Sequence, residues 1–138
     1  MWAVEMATVG READGLRFEQ LQRGPDGEIW SVVVRLRVPG LDASRLVWSD
    51  YANSFDELVA FFNGLASDWR GWQGQRTYES LEHDLRLTAT HDAHVQLVAQ
   101  LATDQWTATG VVQLDPGEEM TRAAEDVAAL LSPLEPQV

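Results

Sequence analysis

Cysteine and lysine are both missing from this 138-residue chain. Without thiols there is no disulfide framework, no thiolate metal site and no cysteine nucleophile, and a cysteine-free chain suits a reducing compartment. Without lysine, Schiff-base and pyridoxal-phosphate chemistry are excluded, and so is a P-loop lysine. All ten basic residues are arginine, a usage that suggests a GC-rich bacterial genome. Long apolar runs are missing too: no stretch approaches the roughly 20 residues a membrane helix needs. The start, Met1-Trp-Ala-Val-Glu-Met6, has neither the basic region nor the apolar run of a signal peptide. The expectation is a soluble cytoplasmic protein with no membrane association.

What the chain does have is acid and tryptophan. Residues 1–47 hold seven acids and six Arg, whereas residues 48–138 hold fifteen acids and four Arg, a net of −11. Such a field repels nucleic acid and anionic membranes and attracts basic partners, while also serving simply to keep a surface solvated. Six Trp among twelve aromatics, with hydrophobic residues at 45%, give enough apolar surface for a core without staples. The length fits one domain, read as residues 1–131 with a tail at 132–138, where Pro133 and Pro136 stop the last helix.

Alternation marks the first third as strands. Over residues 29–38, Trp30, Val32, Val34, Leu36 and Val38 face one way, and Ser31, Arg35 and Arg37 the other. Leu16 and Phe18 lie on a preceding strand joined through the turn Arg23-Gly-Pro-Asp-Gly27, and pairing Phe18 with Val32 puts both apolar faces together. Trp2–Val9 and Arg45–Trp48 are further candidate strands.

Ser54-Phe-Asp-Glu57 has the spacing of a capping box, and Phe55, Leu58, Val59, Phe62, Leu65, Ala66 and Trp69 then form one helical stripe. Asn63-Gly64 interrupts the stripe without ending it, so the spacing predicts a helix over 54–68, with Gly71 beyond its end. Next come three apolar-alternating segments: Leu85, Leu87 and Ala89; Val95, Leu97, Ala99 and Leu101; Trp106, Ala108, Val112 and Leu114. Their parities match if Asp92-Ala-His94 and Ala102-Thr-Asp-Gln105 are the connections, which predicts an antiparallel meander with one wet face. Asp115-Pro-Gly-Glu118 opens a final helix over 117–131, with Asp115 as cap, Glu118 reaching back, and Met120, Ala123, Ala124, Val127, Leu130 and Leu131 buried. The predicted fold is α+β: one antiparallel sheet of five to seven strands with both helices on one face.

Trp69-Arg-Gly-Trp72-x-Gly74, then Tyr78-Glu-Ser-Leu81-Glu-x-Asp84-Leu-x-Leu87-x-Ala-Thr-His-Asp92 and His94-Val95, resembles an uncharacterised domain family of GC-rich, actinobacteria-like genomes. The helix before it, with Tyr51-Ala, Phe61-Phe and Leu65-Ala-x-Asp-Trp69, and the closing Pro116-Gly-Glu stretch are similar too, so the resemblance covers residues 46–131. It departs at the hairpin, where Ala93 stands in place of a glycine before His94. The resemblance implies no activity. At the level of architecture alone, the chain is also similar to small acidic bacterial immunity proteins.

Standard catalytic equipment is missing: there is no Gly-x-Ser-x-Gly, no His-Glu-x-x-His and no phosphate-cradling glycine loop. His83, His91 and His94, with Asp84 and Asp92, are the right types for a metal site. Yet an extended run from 83 to 91 spans roughly 27 Å, and these residues read as turn and packing chemistry, so neither a metal nor another cofactor is expected. Glu79, Glu82 and Asp84 near Arg76 and Arg86 read as a solvated ladder of opposite charges, with Glu82 and Asp84 on a wet strand face.

The segment Trp69–Ser80 leaving the first helix is the remaining candidate, and the expected binding residues are Arg70, Trp72, Gln73, Arg76, Tyr78 and Glu79. Trp69 belongs to the buried stripe, and Trp72 is the ring expected to be partly exposed; both rings can equally serve to lock the helix end onto the sheet. Two functions stay open. One is a protein-interaction module, immunity-like in kind, that meets a basic partner. The other is a small-ligand binder or enzyme with a pocket around Trp72, Tyr78 and Glu79.

Overall fold

The structure is a computed structural model that describes residues 5–50 and 53–132. Eight strands and two helices follow one another in the order β1 (Met6–Arg11), β2 (Asp14–Arg23), β3 (Ile29–Val38), β4 (Leu41–Trp48), α1 (Asp56–Ser67), β5 (Arg76–Glu79), β6 (Leu85–His91), β7 (Val95–Ala102), β8 (Thr107–Leu114) and α2 (Glu118–Leu131). The candidate strand at Trp2–Val9 is described only from residue 5, and the tail beyond Ser132 lies outside the described residues.

The α+β class holds, but the single sheet does not. There are two four-stranded antiparallel sheets, ordered β1-β2-β3-β4 and β5-β6-β7-β8. Alternation tells which face of each strand is dry, not which strands are neighbours, and two sheets sharing a core leave the same pattern as one sheet covered by helices. Here β8 packs across all four strands of the first sheet. Helix α2 packs on α1 and on the edge strand β1, and α1 packs on β5 at the edge of the second sheet. One continuous apolar core joins both sheets and both helices, with Phe18 of β2 meeting Phe62 of α1 edge-on at 6.1 Å.

Gly110 of β8 permits the close approach of the sheets. A Cβ there would lie 3.1 Å from Val38 Cγ2 and 3.2 Å from Leu36 Cδ2. Gly10 of β1 is tighter still: a Cβ would come within 2.8 Å of Val112 Cγ1, and φ is 95°.

The β6–β7–β8 meander matches its sequence reading closely. Leu85 pairs with Leu101, Leu87 with Ala99 and Ala89 with Leu97, and Leu101 pairs with Ala108 as the odd-to-even switch requires. The second connection falls one residue later than expected, since Ala102 pairs with Thr107, and this leaves Trp106 in the loop and exposed. In the first connection Asp92 N–H donates to the His94 carbonyl at 3.0 Å, and Ala93 is not among the positive-φ residues, so that turn needs no glycine.

The first sheet departs more. Phe18 pairs with Val34 rather than Val32, a two-residue shift that leaves the dry faces matched. Two β2 residues, Gln20 and Leu21, then oppose Val32 alone, with Gln20 at φ 53° taking up the extra length. Next to this bulge Trp30 is the surplus residue on β3, so its ring turns outward at 45% exposure while Ile29 and Ser31 are buried. The expectation that Trp30 belongs to the core is therefore overturned by a local bulge.

The capping box does not form. Ser54 sits at φ 53° and bridges Asp50, Phe55 is the residue before the helix, and no side chain caps it. The helix begins at Asp56 rather than 54, and it runs through Gly64, whose carbonyl accepts from Arg76 Nη1 at 3.2 Å. In α2 all six expected apolar residues are buried, but Glu119 rather than Glu118 reaches back, accepting from Asp115 N–H at 3.1 Å. The cap position itself is Gly117, at φ 98°.

Candidate functional site

Part of the segment expected to be a connection is a strand. Arg76–Glu79 pairs with Ala89–Arg86 as β5, the edge of the second sheet, and its pleat splits the expected site residues into two groups.

The first group plugs the end of α1. Trp69, expected in the core, is 45% exposed, with the Arg70 guanidinium 5.2 Å from its ring centre. The helix stops at Ser67, two residues too early to carry Trp69 inward, and Asp68 closes it by donating its N–H to the Gly64 carbonyl. Trp72 is partly exposed, as expected, while the rest of its ring packs against the core. Its ring meets His91 edge-on at 5.1 Å, and the Arg76 guanidinium lies 4.9 Å above it. Arg76 is held by Asp68 at 2.6 Å, and His91 Nε2 lies 2.8 Å from the Trp69 carbonyl, so it carries the proton that this contact needs. The Trp72 indole N–H is buried with no acceptor. Gln73 is exposed beside this plug. These contacts are structural: they fasten the helix end to β6.

The second group, Tyr78 and Glu79, lines a cleft of about 250 Å³ between the end of β4, the start of α1 and β5. Trp48, Phe55 and Tyr78 form aromatic walls, and Asp50, Glu57 and Glu79 supply carboxylates. No arginine lines the cleft among the described residues. Glu79 is partly engaged, with His83 Nδ1 at 2.6 Å and Arg86 Nε at 3.5 Å. Glu57 has no cationic partner among the described residues. Burial raises the Tyr78 phenol well above its ordinary range, and the negative charges of Glu57, Asp84 and Asp50 push it the same way. The hydroxyl is therefore a donor throughout the physiological range, and the ring presents a neutral π-face to a field of acids.

Asp84 lies just behind this wall, and the ladder reading fails there. It is only 3% exposed, because Ser80–Asp84 is a tight turn and not strand: His83 N–H bonds the Ser80 carbonyl, and His83 takes φ 63°. The turn tucks the carboxylate against Ser80 Oγ, which donates at 2.6 Å, and beside Arg45 Nε at 3.6 Å.

A second cavity, of about 260 Å³, is also bordered by Trp48, together with Glu28, Ile29, Trp30, Ser49 and Ser54. Trp72 borders neither cavity. The sequence signal for Trp48 was available: in β4 the even residues Asp42, Ser44, Leu46 and Trp48 all face outward, opposite to Val47. Glu57 was hidden by its apparent capping role.

Fold and cleft together define a two-sheet α+β domain with an acid-lined, aromatic-walled groove at one sheet edge. The chain belongs to a family of unknown function (DUF6228), whose model matches residues 7–134. That span takes in the first sheet as well as the segment that carried the resemblance. No curated protein and no solved structure matches the chain. No helix among the described residues is long and apolar enough to cross a membrane.

Proposed function

We propose that this domain is a protein-interaction module for a basic partner, and that the cleft between Trp48, Glu57 and Tyr78 receives a cationic side chain. The observation that carries this reading is the make-up of the cleft: three carboxylates and three aromatic rings, with Glu57 unpaired among the described residues. A guanidinium or ammonium gains from both components, by charge and by cation–π contact worth about 0.5–2 kcal/mol. The net −11 of residues 48–138 would steer such a partner from a distance. An acidic domain that neutralises a basic toxin is one form such a module takes.

A small cationic ligand is the second reading. It is favoured by the concavity of the cleft, although about 250 Å³ is below the roughly 300 Å³ at which small-molecule pockets begin. A pocket around Trp72 is not part of this reading, since that ring is occupied by His91 and Arg76.

The test is affinity capture from the native cell with the wild-type chain and with Glu57→Gln, followed by reconstitution from purified proteins. A basic protein bound by the first, at least tenfold weaker with the second, and weakened again between 50 and 500 mM salt supports the module. A partner whose affinity ignores both salt and Glu57→Gln removes it.

A further inference from the structure

The two cavities share two wall residues, Trp48 and Ser54. Each also holds a carboxylate without a cation among the described residues: Glu57 in the first, Glu28 in the second. Glu28 is pre-oriented, accepting from Trp30 Nε1 at 3.2 Å and from the Asp26 N–H at 2.9 Å. Around them stand Trp30 at 45%, Trp48 at 46% and Leu81 at 52% exposure. Three large apolar side chains left in water on one rim are not explained by folding.

Trp48 is also the last residue of β4, which is the outer strand of its sheet. Among the described residues, the backbone of Leu41–Trp48 pairs only with β3, and no other backbone bond reaches its outer side. An extended segment therefore suits this edge better than a helix, because it can continue the ladder while alternate side chains turn toward the protein.

We propose that the two cavities together receive one extended basic segment of the partner, with one cationic side chain in each and Trp48 in the wall they share. This rests on the cleft reading above and deepens it, from a single cationic side chain to a two-point basic motif. Charge complementarity selects the occupant: an acidic or purely apolar segment would leave Glu28 and Glu57 unpaired against desolvated surface. Side chains two residues apart on an extended chain are about 6.6 Å apart on one face, and those four apart about 13 Å. Either spacing can span cavities that share a wall.

The test uses acetylated, amidated peptides titrated into the full chain: Arg-Gly-Gly, Arg-Gly-Arg and Arg-Gly-Gly-Gly-Arg. The six Trp indole resonances serve as reporters, and melting curves confirm that each variant is folded. Because a second site linked by a short spacer acts at about millimolar effective concentration, the better two-Arg peptide should bind at least about tenfold tighter than the single-Arg peptide. Glu28→Gln should abolish that advantage. Glu57→Gln should weaken every peptide. An advantage below tenfold for both two-Arg peptides, or one that survives Glu28→Gln, overturns the two-point motif and leaves the single cleft standing. A single-Arg peptide that moves no indole signal and ignores Glu57→Gln overturns the cleft itself.

Discussion

Arg45 on β4 and Asp84 at the entry to β6 tie the two sheets together, with Arg45 Nε 3.6 Å from Asp84 Oδ2. Neither of these atoms has a hydrogen-bond partner, so the attraction is Coulombic across a gap slightly too long for a bond. Asp84→Ala should cost about 2–3 kcal/mol, since it strands the Ser80 hydroxyl and the buried Arg45 nitrogen. The Arg45 side chain is 39% exposed, so water screens its loss, and Arg45→Met should cost about 1–2 kcal/mol. The double variant should cost less than the sum of the two. Urea midpoints at constant slope measure all three, and additive losses would show that the pair does not couple.

Trp72 is half-buried against the core, whereas Trp30, expected in the core, faces outward. Trp72→Ala should lower stability by about 2–3 kcal/mol, because it removes the ring wedged between His91 and Arg76. Trp72→Phe keeps the edge contact and deletes an indole N–H that lacks an acceptor, so it should stay within about 1 kcal/mol of wild type. Trp30→Ala, at an outward-facing ring, should also stay within about 1 kcal/mol. Thermal and urea unfolding decide it, and a Trp30 loss exceeding that of Trp72 would refute the assignment.

Tyr78 should make stability fall at alkaline pH. Its folded phenol is raised above the ordinary value of about 10. As pH climbs past that value, the unfolded chain releases the proton while the folded chain retains it. The unfolded state then binds fewer protons, so the free energy of unfolding decreases with rising pH. The stabilisation is whole below pH 10 and is lost as pH rises toward the folded value. Urea melts between pH 9 and 11 should show the decline in wild type, and a shallower one in Tyr78→Phe.

Two glycines separate backbone strain from steric conflict. Gly40 has φ 82° with nothing within 4 Å of an added Cβ, so Gly40→Ala should cost about 1 kcal/mol from the dihedral alone. Gly10 adds a 2.8 Å contact with Val112 Cγ1 to a φ of 95°. Gly10→Ala should therefore cost about 2–3 kcal/mol, since the two sheets must separate. Equal losses at both positions would mean that β1 and β8 yield freely.

Zinc or nickel at a few equivalents should leave the melting temperature unchanged. His83 faces Glu79, His91 faces the Trp69 carbonyl and His94 faces Asp115. Among the described residues, no three His, Asp or Glu side chains converge on one point. A bound ion at a hundredfold excess over its dissociation constant would add about 2.7 kcal/mol. A rise of several degrees, abolished by His91→Ala, would overturn this reading.

Periodicity by itself determined most of the elements. The dry faces of β6, β7 and β8 and the six buried residues of α2 follow from a fixed two-residue or 3.6-residue repeat, which needs no knowledge of neighbours. The short strand β5 escaped notice because four residues hold too little alternation to stand out from a polar, aromatic loop. The bulge at Gln20 and Trp30 escaped as well, because an extra residue has no signature in a pattern that assumes every residue is paired.

Tertiary structure alone decided where the groove lies. Trp48, Glu57 and Tyr78 come from the end of one sheet, the start of a helix and the edge of the other sheet, and nothing in their local spacing brings them together. The same holds for Asp84, whose burial depends on a turn conformation and on an arginine 39 residues earlier in the chain. Composition showed that this protein has acid and aromatic surface to spare. Which carboxylates stand unpaired beside which rings depends on how two sheets and two helices close around one core, and that is a property of long-range packing that local sequence does not encode.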